Sequence, residues 1–245
     1  MQTILGANGQ IGEELARELR RNFTSSIRIV SRNAKKVNDT DEIFSADLSI
    51  REKAVEAVKG SEIAYFTLGL PISSDLWEKQ FSLILRHVID ACKINHTKLV
   101  FFDNIKEGSK LKVPLSANKK RSLIWTPDAS RATALIGNTP DAFGQTWHLP
   151  VDKSHPTYKE FIRMAAGIYG RDLKYSVVRK LMFKIGSFFN KSVKELLELL
   201  PRYEHDNLFD DSKFRTKFPD FQVTSYKQGI SIIKDEQLSP NKIIK

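Results

Sequence analysis

Apolar positions in the first part of the chain fall alternately into short runs and into helically spaced stripes. The runs Gln2–Leu5, Ile27–Ser31, Glu42–Ser45, Ile63–Thr67 and Lys98–Phe102 predict strands; the stripes over Gly12–Asn22, Ile50–Val58 and Ser74–Asn95 predict helices. Strands that alternate with helices of crossover length pair in parallel and are covered on both faces. The fold class is therefore α/β, a doubly wound parallel sheet of Rossmann type. Beyond Pro150 the pattern is helical: Tyr158 to Tyr169 closed by Gly170, then Lys180 to Phe189 and Ser192 to Leu200. Phe183, Ile185, Phe188, Phe189, Leu196, Leu197, Leu199 and Leu200 form stripes expected to make the core of a small, mainly helical C-terminal lobe. The expected organisation is a sheet-and-helix core over 1–104, remaining sheet elements and a hairpin over 105–149, and a helical lobe over 150–245.

The join between the first strand and the first helix carries the strongest chemical signal. Gly6-Ala7-Asn8-Gly9-Gln10-Ile11-Gly12 places three glycines between a strand and a helix. The first suits a tight turn, the second lets backbone approach a pyrophosphate, and the third lets the helix pack closely. A diphosphate at the first turn of that helix meets unpartnered N–H groups and the positive end of the helix dipole. Gly6, Asn8, Gly9, Gln10, Ile11 and Gly12 are thus the first cofactor-binding candidates.

In such a fold the ligand lies at the carboxyl ends of the strands. The second strand runs into Arg32, where an NAD-selective site carries an acid for the ribose 2′-hydroxyl. Arg32, with Lys35 or Lys36, can instead grip a 2′-phosphate, so NADP(H) is favoured and NAD(H) remains open. After the third strand, Asp47 can accept from an adenine amino group while Leu48 packs on the ring; helix capping by Asp47 or Ser49 explains the acid equally well. Thr67, Leu68 and Gly69 close the fourth strand, near the ribose and nicotinamide end by topology.

Composition narrows the picture further. With 245 residues and 41% hydrophobic content the chain can bury one large core, or one core and a smaller lobe. There is no signal-peptide pattern and no apolar run of membrane-spanning length, so a soluble, cytoplasmic protein without membrane contact is expected. The single Cys92 lies in a helical apolar pattern and reads as a small buried hydrophobe. The net charge of +10 is spread along the chain. Its densest stretch, Lys106 to Arg121, has no interleaved aromatics, which reads as a solvated loop and hairpin and not as a nucleic-acid surface. His205, Asp206, Asp210 and Asp211 read as a capping or solvated turn and not a metal site, and His148 as a packed histidine.

The Gly6–Gly12 turn, Arg32, Asp47-Leu48, Thr67-Leu68-Gly69 and the Lys98–Phe102 strand together resemble an extended, atypical short-chain dehydrogenase/reductase of the NAD-dependent epimerase/dehydratase type. Arg121 to Ala132 resembles that family's strand leading into a helix, and Gly144 to Leu149 resembles its last sheet strand. The resemblance implies hydride chemistry on a small carbonyl or sugar-nucleotide substrate, with Arg121 a candidate contact to an anionic group. It also implies a Tyr-x-x-x-Lys pair, because residues four apart share a helix face and the lysine lowers the phenol's pKa. Of the six tyrosines, Tyr65, Tyr158, Tyr169, Tyr175, Tyr203 and Tyr226, none has a lysine four residues on; Tyr175 is followed by Arg179.

No catalytic residue is therefore assigned. From Asp103-Asn104 the sequence passes directly to Ile105-Lys106-Glu107-Gly108-Ser109, which resembles a later part of the family. A helix with its parallel strand takes about thirty residues, and such a unit is missing there. Two readings follow: an oxidoreductase or epimerase whose catalytic segment is lacking from this sequence, or a catalytically inactive dinucleotide-binding sensor. The long helix Ser74–Asn95 can carry a homodimer contact, with packing on its own sheet as the competing use.

Overall fold

Strands β1 (Gln2–Leu5) and β4 (Ile63–Phe66) are buried at every position, as central parallel strands covered on both faces must be. They form part of a computed structural model that describes residues 1–70, 76–102 and 112–238. Together with β2 (Ile27–Ser31), β3 (Glu42–Ser45) and β5 (Lys98–Phe101) they make a parallel sheet of order β3-β2-β1-β4-β5. Gln2 pairs with Ile27 on one side and with Ile63 on the other, so the chain reverses its direction of winding at β1.

Helix α1 (Gln10–Asn22) covers one face of the sheet through Leu15, Ala16 and Leu19, which cluster with Ile4, Ile29 and Tyr65. Helices α2 (Arg51–Val58) and α3 (Ser82–Ile94) cover the other, placing Ala54, Val58, Val88 and Cys92 against Leu5, Val30 and Phe66. Burial pushes the Cys92 thiol up to about 11, as for an inert small hydrophobe. A single π-helical turn, Trp77–Phe81, precedes α3, and residues 74–75 of the expected helix lie outside the described residues. Helix α4 (Thr126–Gly137) packs along α1. Beneath its end the Tyr65 hydroxyl donates to Gln2 Oε1 at 2.9 Å and accepts from Asn138 Nδ2 at 3.1 Å. These elements form one compact unit, Met1–Lys106 with Thr126–Thr146.

Several sequence expectations need correction here. Residues 146–150 carry no regular secondary structure, so Gly144 to Leu149 is not a sheet strand; Trp147 instead packs edge-on to Phe214, 6.5 Å between ring centres, and an aromatic anchor needs no ladder partner. Lys120 and Arg121 make only isolated bridges, to Thr157 and Asn207, although α4 follows as expected. Strand β6 (Lys112–Pro114) is not half of a hairpin: it pairs in parallel with β7 (Ser176–Val178), a partner far along the chain. Among the described residues the main sheet ends at β5, and the junction of Asn104 with Ile105 lies outside them.

A second compact unit comprises Glu107–Trp125 and Trp147–Lys245. Helix α5 (Tyr158–Tyr169) begins at a capping box, Thr157 with Glu160, and ends on Gly170 at φ 65°, the left-handed turn that glycine adopts without strain. It is followed by α6 (Lys180–Phe189), α7 (Lys191–Leu199), α8 (Pro201–Glu204), α9 (Ser212–Lys217) and α10 (Tyr226–Leu238). Leu200 is buried, but Phe188 and Phe189, expected in this lobe's core, are exposed.

Asp211 ties this unit together by accepting from Arg215 Nε at 3.0 Å and from the Val151 N–H at 3.0 Å. Burial alone raises its pKa, but the hydrogen bonds from Arg215 and Val151 and the Arg215 charge outweigh it and leave the carboxyl below 3.8. A depressed folded pKa stabilises fully above the ordinary carboxylate value, and that contribution disappears as pH falls through the folded value. Asp211→Asn is therefore expected to lower stability by about 2 kcal/mol at neutral pH. Denaturation at successively lower pH should show the gap between variant and parent closing below about pH 4.

Candidate dinucleotide site

The loop from β1 to α1 lies at the carboxyl edge of the sheet, beside the point where the winding reverses, which is where open α/β sheets bind ligands. Its N–H groups at Gly6 and Ala7 both donate to Val30 O, at 2.9 and 3.2 Å, pinning the turn to β2. Each glycine serves a different purpose. Gly6 has φ 90°, and a Cβ there would stand 2.6 Å from Leu68 Cα. At Gly12 a Cβ would stand 2.6 Å from Ala7 Cα, so the helix is seated on its own loop. The space at Gly9 is open: the nearest atom to a Cβ is Gly6 O at 3.7 Å, and φ is −87°.

Gly9 is the N-cap of α1 and supplies no capping side chain. Helix geometry leaves the N–H groups of Gln10, Ile11 and Gly12 without intrahelical acceptors, pointing out of the helix end. An open backbone, a row of N–H donors and a positive dipole end fit a diphosphate. Asn8 braces the far side of the turn, donating from Nδ2 to Asn33 O at 2.8 Å and accepting from Ser31 Oγ at 3.0 Å.

Next to the turn is a hollow of about 410 Å³ lined by Ala7, Asn8, Glu13, Arg17, Lys35, Lys36 and Val37. Three of its lining side chains are cationic. Arg17 is paired with Glu14 and Glu13, and Lys36 Nζ donates to Asp39 O at 2.8 Å. Arg32, the sequence candidate for a 2′-phosphate, is exposed just beyond β2 and does not line this hollow. Lys35 and Lys36, named with it, do. Arg17 and Glu13 were not singled out in the sequence; one helical turn beyond the glycines, on the loop side of α1, is where such residues had to lie.

Asp47 accepts from the Ser49 N–H at 2.9 Å and from Ser49 Oγ at 2.7 Å, ahead of α2. These two bonds, helped by the charge of Arg32, hold its carboxyl below the usual range. This is a local turn on Ser49 and not a helix cap: the N-cap of α2 is Ile50, which takes no side-chain hydrogen bond. Leu48 is buried with Leu5, Val30 and Ala54, so its side chain fills the core rather than offering a flat face. Thr67 donates from N and Oγ1 to Leu5 O, at 2.9 and 3.2 Å, which brings Leu68 across the top of Gly6; Gly69 beyond is open.

In the other unit Arg121 is 4% exposed, with its guanidinium 4.7 Å from the Tyr203 ring centre and 5.8 Å from that of Tyr158. Its Nη1 donates to Arg202 O at 2.6 Å. Stacked between two tyrosines, it closes the packing around α5 and α8 and presents no open face to a substrate. His148 Nδ1 donates to Asp210 O at 3.0 Å, and Asp206 Oδ1 accepts from Lys120 N at 2.9 Å. Tyr175 packs with Val113, Ala117 and Ile162.

Comparison with known proteins agrees with this geometry. The model of a family described as NAD(P)H-binding matches residues 6–139. The fold is that of an NADPH-dependent quinone oxidoreductase from Escherichia coli solved with NADPH: TM-score 0.71, 17% identity, covering 96% of this chain and all of that one. Triphenylmethane reductase from Citrobacter sp., solved with NADP(H), gives a TM-score of 0.72 at 13% identity over 94% of this chain and 99% of that one. A nucleoside-diphosphate-sugar epimerase from Staphylococcus aureus gives 0.68 at 16% identity, again over 94% and 99%. No curated protein matches the chain in sequence.

Proposed function

Because this chain belongs to the NAD(P)H-binding family, we propose that it holds NADP(H) at the carboxyl edge of its sheet and reduces an electron-poor small molecule. The observation that carries this reading is the pairing of an open, uncapped glycine turn with a cation-lined hollow beside it. In this reading Gly9, Gln10, Ile11 and Gly12 hold the diphosphate by backbone, and Asn8, Lys35 and Lys36 receive the 2′-phosphate. Arg32 and Asp47 flank the adenine end, Leu48 supports it from the core, and Thr67, Leu68 and Gly69 border the ribose and nicotinamide.

NADPH, when bound, supplies a hydride. The chain's own part is to position it and to exclude water, because no tyrosine has a lysine four residues on to deliver a proton in the same step. Acceptors that spread the incoming charge over a conjugated system need no such partner. Quinones and triphenylmethane dyes, named for two of the similar structures, are of that class. The second reading, a non-catalytic dinucleotide sensor, is favoured by the same missing pair. We further propose a cytoplasmic homodimer through the outer face of α3, where Leu83, Ile89 and Ile94 are exposed; no helix among the described residues is long and apolar enough to cross a membrane.

Fluorescence titration with NADPH and NADH should give at least tenfold tighter binding of NADPH, a difference of about 1.4 kcal/mol. Lys35→Ala with Lys36→Ala should remove most of that preference and leave NADH binding unchanged. Oxidation of NADPH on adding a quinone supports the reductase reading; tight binding without oxidation by any conjugated acceptor supports the sensor. Failure to bind either nucleotide overturns both.

A further inference from the structure

Five basic residues fall in the segment of the sequence that carries the most exposed phenylalanines. Segment 179–194 contains Arg179, Lys180, Lys184, Lys191 and Lys194 and no acidic residue. Within it, helix α6 leaves Leu181 and Met182 65% and 62% exposed, Ile185 49%, and Phe188 and Phe189 85% and 87%. At 3.6 residues per turn these five positions form a single stripe along the helix. The border next to Met182 and Phe189 packs on α7: a Cβ on Gly186 would stand 3.1 Å from Val193 Cγ1. Lys180 and Lys184 flank the stripe on its other border, Lys180 Nζ meeting Glu204 at 2.8 Å.

The geometry points to a peripheral attachment site for an anionic bilayer, with α6 lying in the interface. A stripe that includes two adjacent phenylalanines, almost wholly in water, is unusual for a soluble protein's surface and marks a contact. Its lysine border, in a segment with no acid of its own and with Glu204 pairing Lys180 alone, selects a negatively charged partner. A short helix with aromatics and leucine-type side chains on one face and lysines along its edge matches an interfacial helix, which buries the apolar side at the headgroup boundary. At ten residues it is far too short to span. Attachment of this kind departs from the sequence expectation of a protein without membrane contact, which rested on the lack of an apolar run of spanning length, and it is independent of the nucleotide chemistry proposed above.

The test is co-sedimentation of the full chain with vesicles of equal parts phosphatidylglycerol and phosphatidylcholine, against vesicles of phosphatidylcholine alone. The parent should pellet with the anionic vesicles and lose most binding without the charge or in high salt. Phe188→Ser with Phe189→Ser should reduce partitioning about tenfold or more while circular dichroism and melting stay as in the parent. Lys184→Glu should weaken binding to anionic vesicles alone. The proposal is overturned by equal binding to both vesicle types, by no binding to either, or by a self-association in sedimentation equilibrium that the double phenylalanine variant abolishes.

Discussion

Replacing Gly6 with alanine is expected to lower the unfolding free energy by about 3 kcal/mol or more, combining backbone strain with overpacking. At φ 90° an L side chain is already strained. The added Cβ would also stand 2.6, 2.7 and 2.8 Å from the Cα, N and Cβ of Leu68. Two of those atoms are backbone, so no rotamer change relieves the clash. The exit of β4 would have to move, and with it the bonds from Thr67 to Leu5 O that hold β4 against β1. Urea denaturation followed by circular dichroism measures the effect; an unchanged midpoint would show that the turn is looser than these distances require.

Gly9→Ala should separate binding from folding. Gly9 sits at φ −87°, and only Gly6 O lies within 4 Å of the added methyl group. Stability should stay within about 0.5 kcal/mol of the parent. NADPH affinity should fall about tenfold to a hundredfold, because the methyl group occupies the space in which a phosphate oxygen would meet the N–H groups at the start of α1. Titration beside a thermal melt gives the answer. A variant that folds and binds as well as the parent would move the diphosphate elsewhere; one that melts early would make Gly9 a structural glycine like its neighbours.

Strand and helix positions were legible in the sequence because each depends on its own residues and spacing. Gln2–Leu5 and Ile63–Thr67 contain no charged residue, as suits strands buried on both faces, and the structure ends them within one residue of the expected place. The stripe in Gly12–Asn22 likewise predicts α1, short only of its first turn. Arg32 shows what spacing along the chain leaves open. Its distance from the glycines is right for the ribose, but distance along a chain does not say which way a loop turns after β2, and the hollow is lined by Lys35 and Lys36 instead. The lobe's apolar stripes raised a different difficulty: periodicity shows that a helix has an apolar side, and says nothing about whether anything covers it. Leu200 is covered and Phe188 is not.

By itself, then, the sequence determined a doubly wound parallel sheet, a glycine turn between strand and helix at Gly6–Gly12 and the lack of a Tyr-x-x-x-Lys pair. All three rest on local spacing: period two or continuous burial for strands, 3.6 for helices, three glycines between them, and four residues from phenol to amine. Only the tertiary structure decided that Leu48 enters the core, that Lys112–Pro114 pairs in parallel with Ser176–Val178, and that Arg121 is stacked between Tyr158 and Tyr203. Each of these joins residues far apart in the chain. Loop closure costs little extra with length, so the partner is chosen by packing and by satisfied hydrogen bonds, neither of which a local pattern records.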